Sequence, residues 1–66
     1  MERAAEFKVL KNQDGNYYWH LEIGGNRLVA WSGHVYASKE LCVDDLHWIR
    51  GNAPVIPAWD YTGEAL

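Results

Sequence analysis

The sequence predicts a small α+β domain: a three-stranded antiparallel meander packed by one helix and followed by a short C-terminal strand or extended tail, in the order β-β-β-α-β. Three observations predict it. Apolar and polar residues alternate from Tyr17 to Ile23, as on a half-buried strand. Two glycine-bearing reversals, Asp14-Gly15 and Gly24-Gly25, bracket that segment. From Cys42 the apolar spacing changes to i, i+4, i+7, the period of a helix with one buried stripe.

Each element follows from local chemistry. Glu6–Lys11 carries Phe7, Val9 and Leu10 and runs into Asn12-Gln13-Asp14-Gly15, where Asp-Gly supplies the positive φ of a tight reversal. In the second strand Tyr17, Trp19, Leu21 and Ile23 form the buried face, which makes Trp19 a core residue, while Tyr18 and His20 face the other way. Gly24-Gly25-Asn26 reverses the chain again, and Arg27–Ser32 is the third strand. Its parity is open, because Leu28/Ala30 and Val29/Trp31 each make an acceptable buried face. Ser38 is an N-cap, since its hydroxyl can accept from an unpaired first-turn amide. The helix runs from there to about Arg50, with Cys42, Leu46 and Ile49 towards the sheet and Gly51 suited to a left-handed C-terminal cap. Pro54 and Pro57 bracket Val55-Ile56, so a strand within residues 55–61 would be an edge or an interrupted one.

Composition narrows the function classes. A chain of 66 residues with 48% hydrophobic and 23% charged residues holds one core and no second domain, with residues 6–54 as the core and 55–66 as the C-terminal strand or tail. No apolar stretch approaches the roughly 20 residues needed to cross a bilayer, and the charged first residues do not form a signal sequence. The lone cysteine, Cys42, excludes an internal disulfide and fits a reducing compartment. A cytoplasmic protein is expected, or one in a host cytoplasm if phage-encoded. Charge is asymmetric: residues 1–39 hold five Lys/Arg against four Asp/Glu, whereas residues 40–66 hold only Arg50 against Glu40, Asp44, Asp45, Asp60 and Glu64. Such a C-terminal part repels phosphates and attracts a basic protein surface.

The ordered set Asp14-Gly15-Asn16-Tyr17-Tyr18-Trp19-His20-Leu21, then Leu28-Val29-Ala30-Trp31-Ser32-Gly33, Tyr36, Ser38-Lys39, Cys42, Leu46, Ile49 and Asn52-Ala53 resembles the YegP-like domain. That bacterial and archaeal family is of unknown function, and the resemblance covers about residues 6–54 without a gap. It implies a β-β-β-α-β unit. Because family units build one sheet in pairs by exchanging C-terminal strands, it also implies a swapped homodimer for a single-unit chain. Two features depart from the family pattern. The helix, commonly basic, here reads Val43-Asp44-Asp45-Leu46-His47-Trp48, and Pro57 interrupts the last strand, leaving a monomer as the alternative to exchange.

Catalytic and metal chemistry find little support in the spacing. His20, His34, Cys42 and His47 contain no ligand-like interval, and Cys42 falls on the inward stripe as a packing group. Gly24-Gly25 joins two strands and opens no helix, so it is a hairpin turn and no phosphate loop. No metal, cofactor or enzymatic activity is expected. Open sheet aromatics can stack single-stranded nucleic acid, but without surrounding Lys or Arg the electrostatic attraction is missing, and no direct nucleic-acid binding is expected.

The helix face carries the sharper expectation. Glu40 and Asp44 are like charges four apart, neither Asp44 nor Asp45 has a cation four residues on, and mid-helix Asp is a poor helix former. Stability alone does not account for this pattern. With Trp48 one turn beyond Asp44, the outward side should form an acidic, aromatic patch of the kind that binds proteins; a solvated face is the alternative. The sequence thus predicts a non-enzymatic protein-binding module that engages a basic partner through Glu40, Asp44, Asp45 and Trp48, with Trp31, Trp59 and Asp60 as further candidates. One concrete form is a small acidic inhibitor that blocks a basic nucleic-acid-binding surface, of the phage anti-CRISPR or anti-defence type. The alternative is a YegP-like strand-swapped homodimer of unknown role.

Overall fold

The computed structural model describes residues 4–64. Three strands, β1 (Ala5–Lys11), β2 (Tyr17–Ile23) and β3 (Arg27–Trp31), form one antiparallel sheet in the order β1-β2-β3, and helix α1 (Lys39–Asn52) follows. The β1–β2 hairpin pairs Val9 with Trp19 and Phe7 with Leu21, so these side chains share the face covered by α1. The reversal between them is organised by Asn12 as much as by Gly15. The Asn12 Oδ1 atom accepts from the amides of Asp14 and Asn16, each at 3.0 Å, while Gly15 takes φ +81°.

The β2–β3 register resolves the open parity of β3 by satisfying neither choice. Ala30 opposes Leu21 and Trp31 opposes His20, but a bulge between Leu21 and Glu22 makes Leu28 the partner of Glu22 and leaves Val29 as the extra residue. Ala30 therefore joins the core, whereas Leu28 and Trp31 lie on the open face with Tyr18 and His20. Beyond β3 the chain stays tied to β2. The Ser32 amide donates to the Trp19 carbonyl at 3.0 Å, and Tyr17 and Tyr36 exchange backbone bonds of 2.8 and 2.7 Å.

Trp19, Tyr36, Cys42 and Leu46 are the buried core, with Phe7, Tyr17, Leu21, Ala30 and Ile49 packed around it and the Phe7 ring edge-on to Trp19 at 5.5 Å. Ser38 caps α1 as expected, its hydroxyl accepting from the Leu41 amide at 3.3 Å. The far end differs from expectation. Gly51 lies inside the helix with an ordinary helical backbone, and α1 continues through Asn52 into a 3-10 turn at Ala53–Val55. The helix stops where Pro54 brings no amide, the Ala53 amide being the last to reach back, to Ile49. No strand forms in residues 55–64. Of the two expected C-terminal forms, a strand and an extended tail, the single chain adopts the tail, and residues 65–66 lie outside the described residues.

Candidate functional site

The seven residues singled out by sequence occupy three separate places. Glu40, Asp44 and Trp48 stand on the side of α1 turned away from Cys42 and Leu46, and all three are exposed, Trp48 at 60%. Trp31 lies across the molecule on the open face of the sheet. Trp59 and Asp60 belong to the tail. The structure therefore does not gather them into one site: the helix patch stands alone, and the secondary candidates are not part of it.

Asp45 is also exposed but makes a contact that the other carboxylates lack. The rotation of 100° per residue sets it to the Tyr36 side of α1, and its Oδ2 accepts from the Tyr36 hydroxyl at 2.7 Å. Tyr36 is itself buried, and burial together with this bond and the carboxylate charge pushes its hydroxyl up to about 12. Asp45 is thus tied into the fold, fixing the loop before α1. Glu40 and Asp44 differ: among the described residues no Lys or Arg forms an ion pair with either. Glu40 in the first turn complements the positive end of the helix, while Asp44 has no such compensation.

Sequence reasoning missed Leu41, which is exposed on the same flank two turns before Trp48 and adds an apolar group to it; its i, i+7 relation to Trp48 was the available signal. It also missed an open cleft. The 14-residue helix lies over β2, and between α1 and edge strand β1 a cleft of about 510 Å³ remains, floored by Phe7, Val9, Leu21 and Leu46 and rimmed by His47 and Arg50. On the opposite sheet face Lys8 Nζ sits 2.9 Å from Glu22 and 3.7 Å from Glu6, with His20 Nδ1 3.5 Å from Glu22. The hydrogen bond from Lys8 holds the Glu22 carboxyl below its usual range, so the charges of this face largely satisfy one another.

Among the described residues no hydroxyl or thiol is hydrogen-bonded to a histidine side chain. Cys42 is fully buried, and burial, then the Asp45 charge, pushes its thiol up, away from the reactive thiolate. Among the described residues no group of three or more His, Cys, Asp or Glu is placed to hold a metal ion. No helix is long and apolar enough to cross a membrane among them either.

No protein-family model matches the chain, and no curated protein matches it. Among solved structures, the solution NMR structure of a protein from Haloferax volcanii is similar, with a TM-score of 0.73 and 28% identity, over 85% of this chain and 93% of that one.

Proposed function

We propose that this chain is a non-catalytic protein-binding module of the YegP-like kind. One observation carries the reading: four hydrophobic residues are buried, while eleven large ones, among them Leu41, Trp48, Val55, Ile56, Trp59 and Tyr61, are exposed. So many exposed large apolar side chains on so small a chain, spread over the sheet, the helix and the tail, suit a protein that is covered by partners. The lone reduced cysteine fits a cytoplasmic setting.

The helix patch is the face for a foreign partner. Trp48 supplies a large rigid anchor, and Glu40 and Asp44, unpaired at its side, favour a cationic surface around the pocket that receives it. The narrower form of this reading is an acidic inhibitor that takes the place of phosphates on a nucleic-acid-binding protein, as anti-CRISPR and anti-defence proteins of phages do. Because Asp45 anchors Tyr36, the test changes Glu40→Lys and Asp44→Lys only. Captured from the lysate of its source cells, the native protein should retain a basic partner that the double variant loses. Retention of the same partners by both proteins would end this form of the proposal.

A second reading, self-association, is favoured by the open β1–α1 cleft together with the exposed tail. For 7.6 kDa a compact monomer exposes about 4,300 Å² by size scaling. This chain exposes 5500 Å². The difference exceeds the roughly 800 Å² that each partner of a standard interface covers. The two readings are compatible, since pairing through the cleft and tail leaves Glu40, Asp44 and Trp48 facing outward.

A further inference from the structure

We infer that the β1–α1 cleft is a binding site for an amphipathic monocarboxylate, its apolar chain lying along Phe7, Val9, Leu21 and Leu46 and its carboxylate on Arg50. The inference rests on neither reading above, since it uses neither the outward face of α1 nor a second copy. The cleft of about 510 Å³ falls within the roughly 300–1,000 Å³ of small-molecule sites, and like them it has an apolar floor with few polar groups. Leu46 is buried, but Val9 is 38% exposed and leaves apolar area for a ligand to cover.

The helix gives the site a direction. Val43, Leu46, His47 and Arg50 recur at intervals of three and four residues, so one face of α1 forms a wall. That wall begins with an isopropyl group and ends in a guanidinium seven residues later, about 10 Å along the helix axis. Across from it Phe7 and Val9, two apart on β1, present their side chains to the same side. An apolar length with a cation at one end matches an alkyl chain that ends in an acid.

Charge decides which acid. Arg50 stands in the last turn of α1, where a cation suits the carbonyl end of the helix, but among the described residues its side chain forms no ion pair and no hydrogen bond. A guanidinium stays charged and presents paired donors that fit the two oxygens of a carboxylate. Glu6 also borders the cleft. Its carboxylate lies 3.7 Å from Lys8 Nζ, which offsets that charge and leaves Arg50 as the uncompensated group. One such cation suits a monoanion, because the second charge of a phosphate monoester would meet Glu6 without a partner. Burial of the chain supplies affinity, and the guanidinium selects the acid over the alcohol of the same length.

The test titrates octanoate and octanol into isotope-labelled protein and follows the amide spectrum. Octanoate should saturate with a Kd of about 1 mM or below, as expected for so small a ligand, and should shift Phe7, Val9, Leu21 and Leu46. Octanol should bind about tenfold more weakly. Arg50→Gln, at an exposed position, should keep the native spectrum, weaken octanoate to the level of octanol and leave octanol unchanged; Arg50→Lys should recover part of the loss. Equal affinity for acid and alcohol, octanoate binding that ignores Arg50→Gln, or shifts centred on Leu41 and Trp48 would overturn the site. So would a lack of saturation by about 10 mM, whether the protein sediments as a monomer or as a dimer that already holds the cleft.

Discussion

Asp45 shows how one hydrogen bond changes the meaning of a residue. In sequence it pairs with Asp44 as half of an acidic face; in the fold its carboxylate accepts from the buried Tyr36 hydroxyl at 2.7 Å. The pair makes alkaline stability a direct readout. The folded-state value of Tyr36 is about 12, above the ordinary 10.0, so its contribution is fully present below pH 10 and is lost as pH rises through 12. A rise from 10.0 to about 12 corresponds to roughly 2–3 kcal/mol. We expect the urea stability of the native protein to fall across that window, and Tyr36→Phe, with no proton to lose, to show a smaller fall while costing about 1 kcal/mol at neutral pH. Parallel losses in both proteins would show that other groups govern the alkaline transition. Cys42 gives a second test at this scale. Being fully buried, its thiol should react with a chromogenic disulfide reagent only as fast as the protein opens, and at once in denaturant.

Among the elements, Gly51 separates two accounts of how α1 ends. A left-handed cap there would make Ala costly, but Gly51 lies within the helix and an added Cβ meets nothing within 4 Å. Gly51→Ala should therefore stabilise the protein by about 0.5–1 kcal/mol, through helix propensity and a less disordered unfolded chain. The opposite sign in urea denaturation would restore the cap. Gly25, at φ +98° in the β2–β3 turn, should respond the other way, with Gly25→Ala costing about 1–3 kcal/mol. These positions also show why some elements were legible and others not. The Ser38 cap is local, and the structure repeats it; of the face expected from Tyr17–Ile23, Trp19 is buried and Tyr17 and Leu21 pack against the core, while Ile23, at the strand end, does not join it. The bulge that splits β3 depends on pairing with β2, and the helix end depends on which residue first lacks an amide, so composition near Gly51 pointed to the wrong stop. The outward place of Asp44 and Trp48 followed from helical period, whereas the tie of Asp45 to Tyr36 needed the loop before α1 to be set in three dimensions.

At the scale of the molecule, the protomer is an incomplete layer pair: one helix covers β2, while the inner side of β1 is left as a cleft and the residues that could cover it are carried away in the tail. No local pattern reveals this, because Phe7 and Val9 read as buried strand residues whichever chain buries them. The consequence is thermodynamic. If folding is completed by a second copy, stability must depend on protein concentration, since association draws on the folded protomer and not on the unfolded chain. Each tenfold rise in concentration should then add about 1.4 kcal/mol per mole of dimer to the free energy of unfolding. The urea midpoint of the wild type should accordingly move upward between micromolar and higher concentrations, and that of Trp59→Ala should stay nearly constant over the same range. Glu40→Lys with Asp44→Lys should keep the wild-type dependence, because those carboxylates face away from the cleft and serve a different partner. A wild-type midpoint that ignored concentration would show that the protomer folds without a second copy, and the self-association reading would fall.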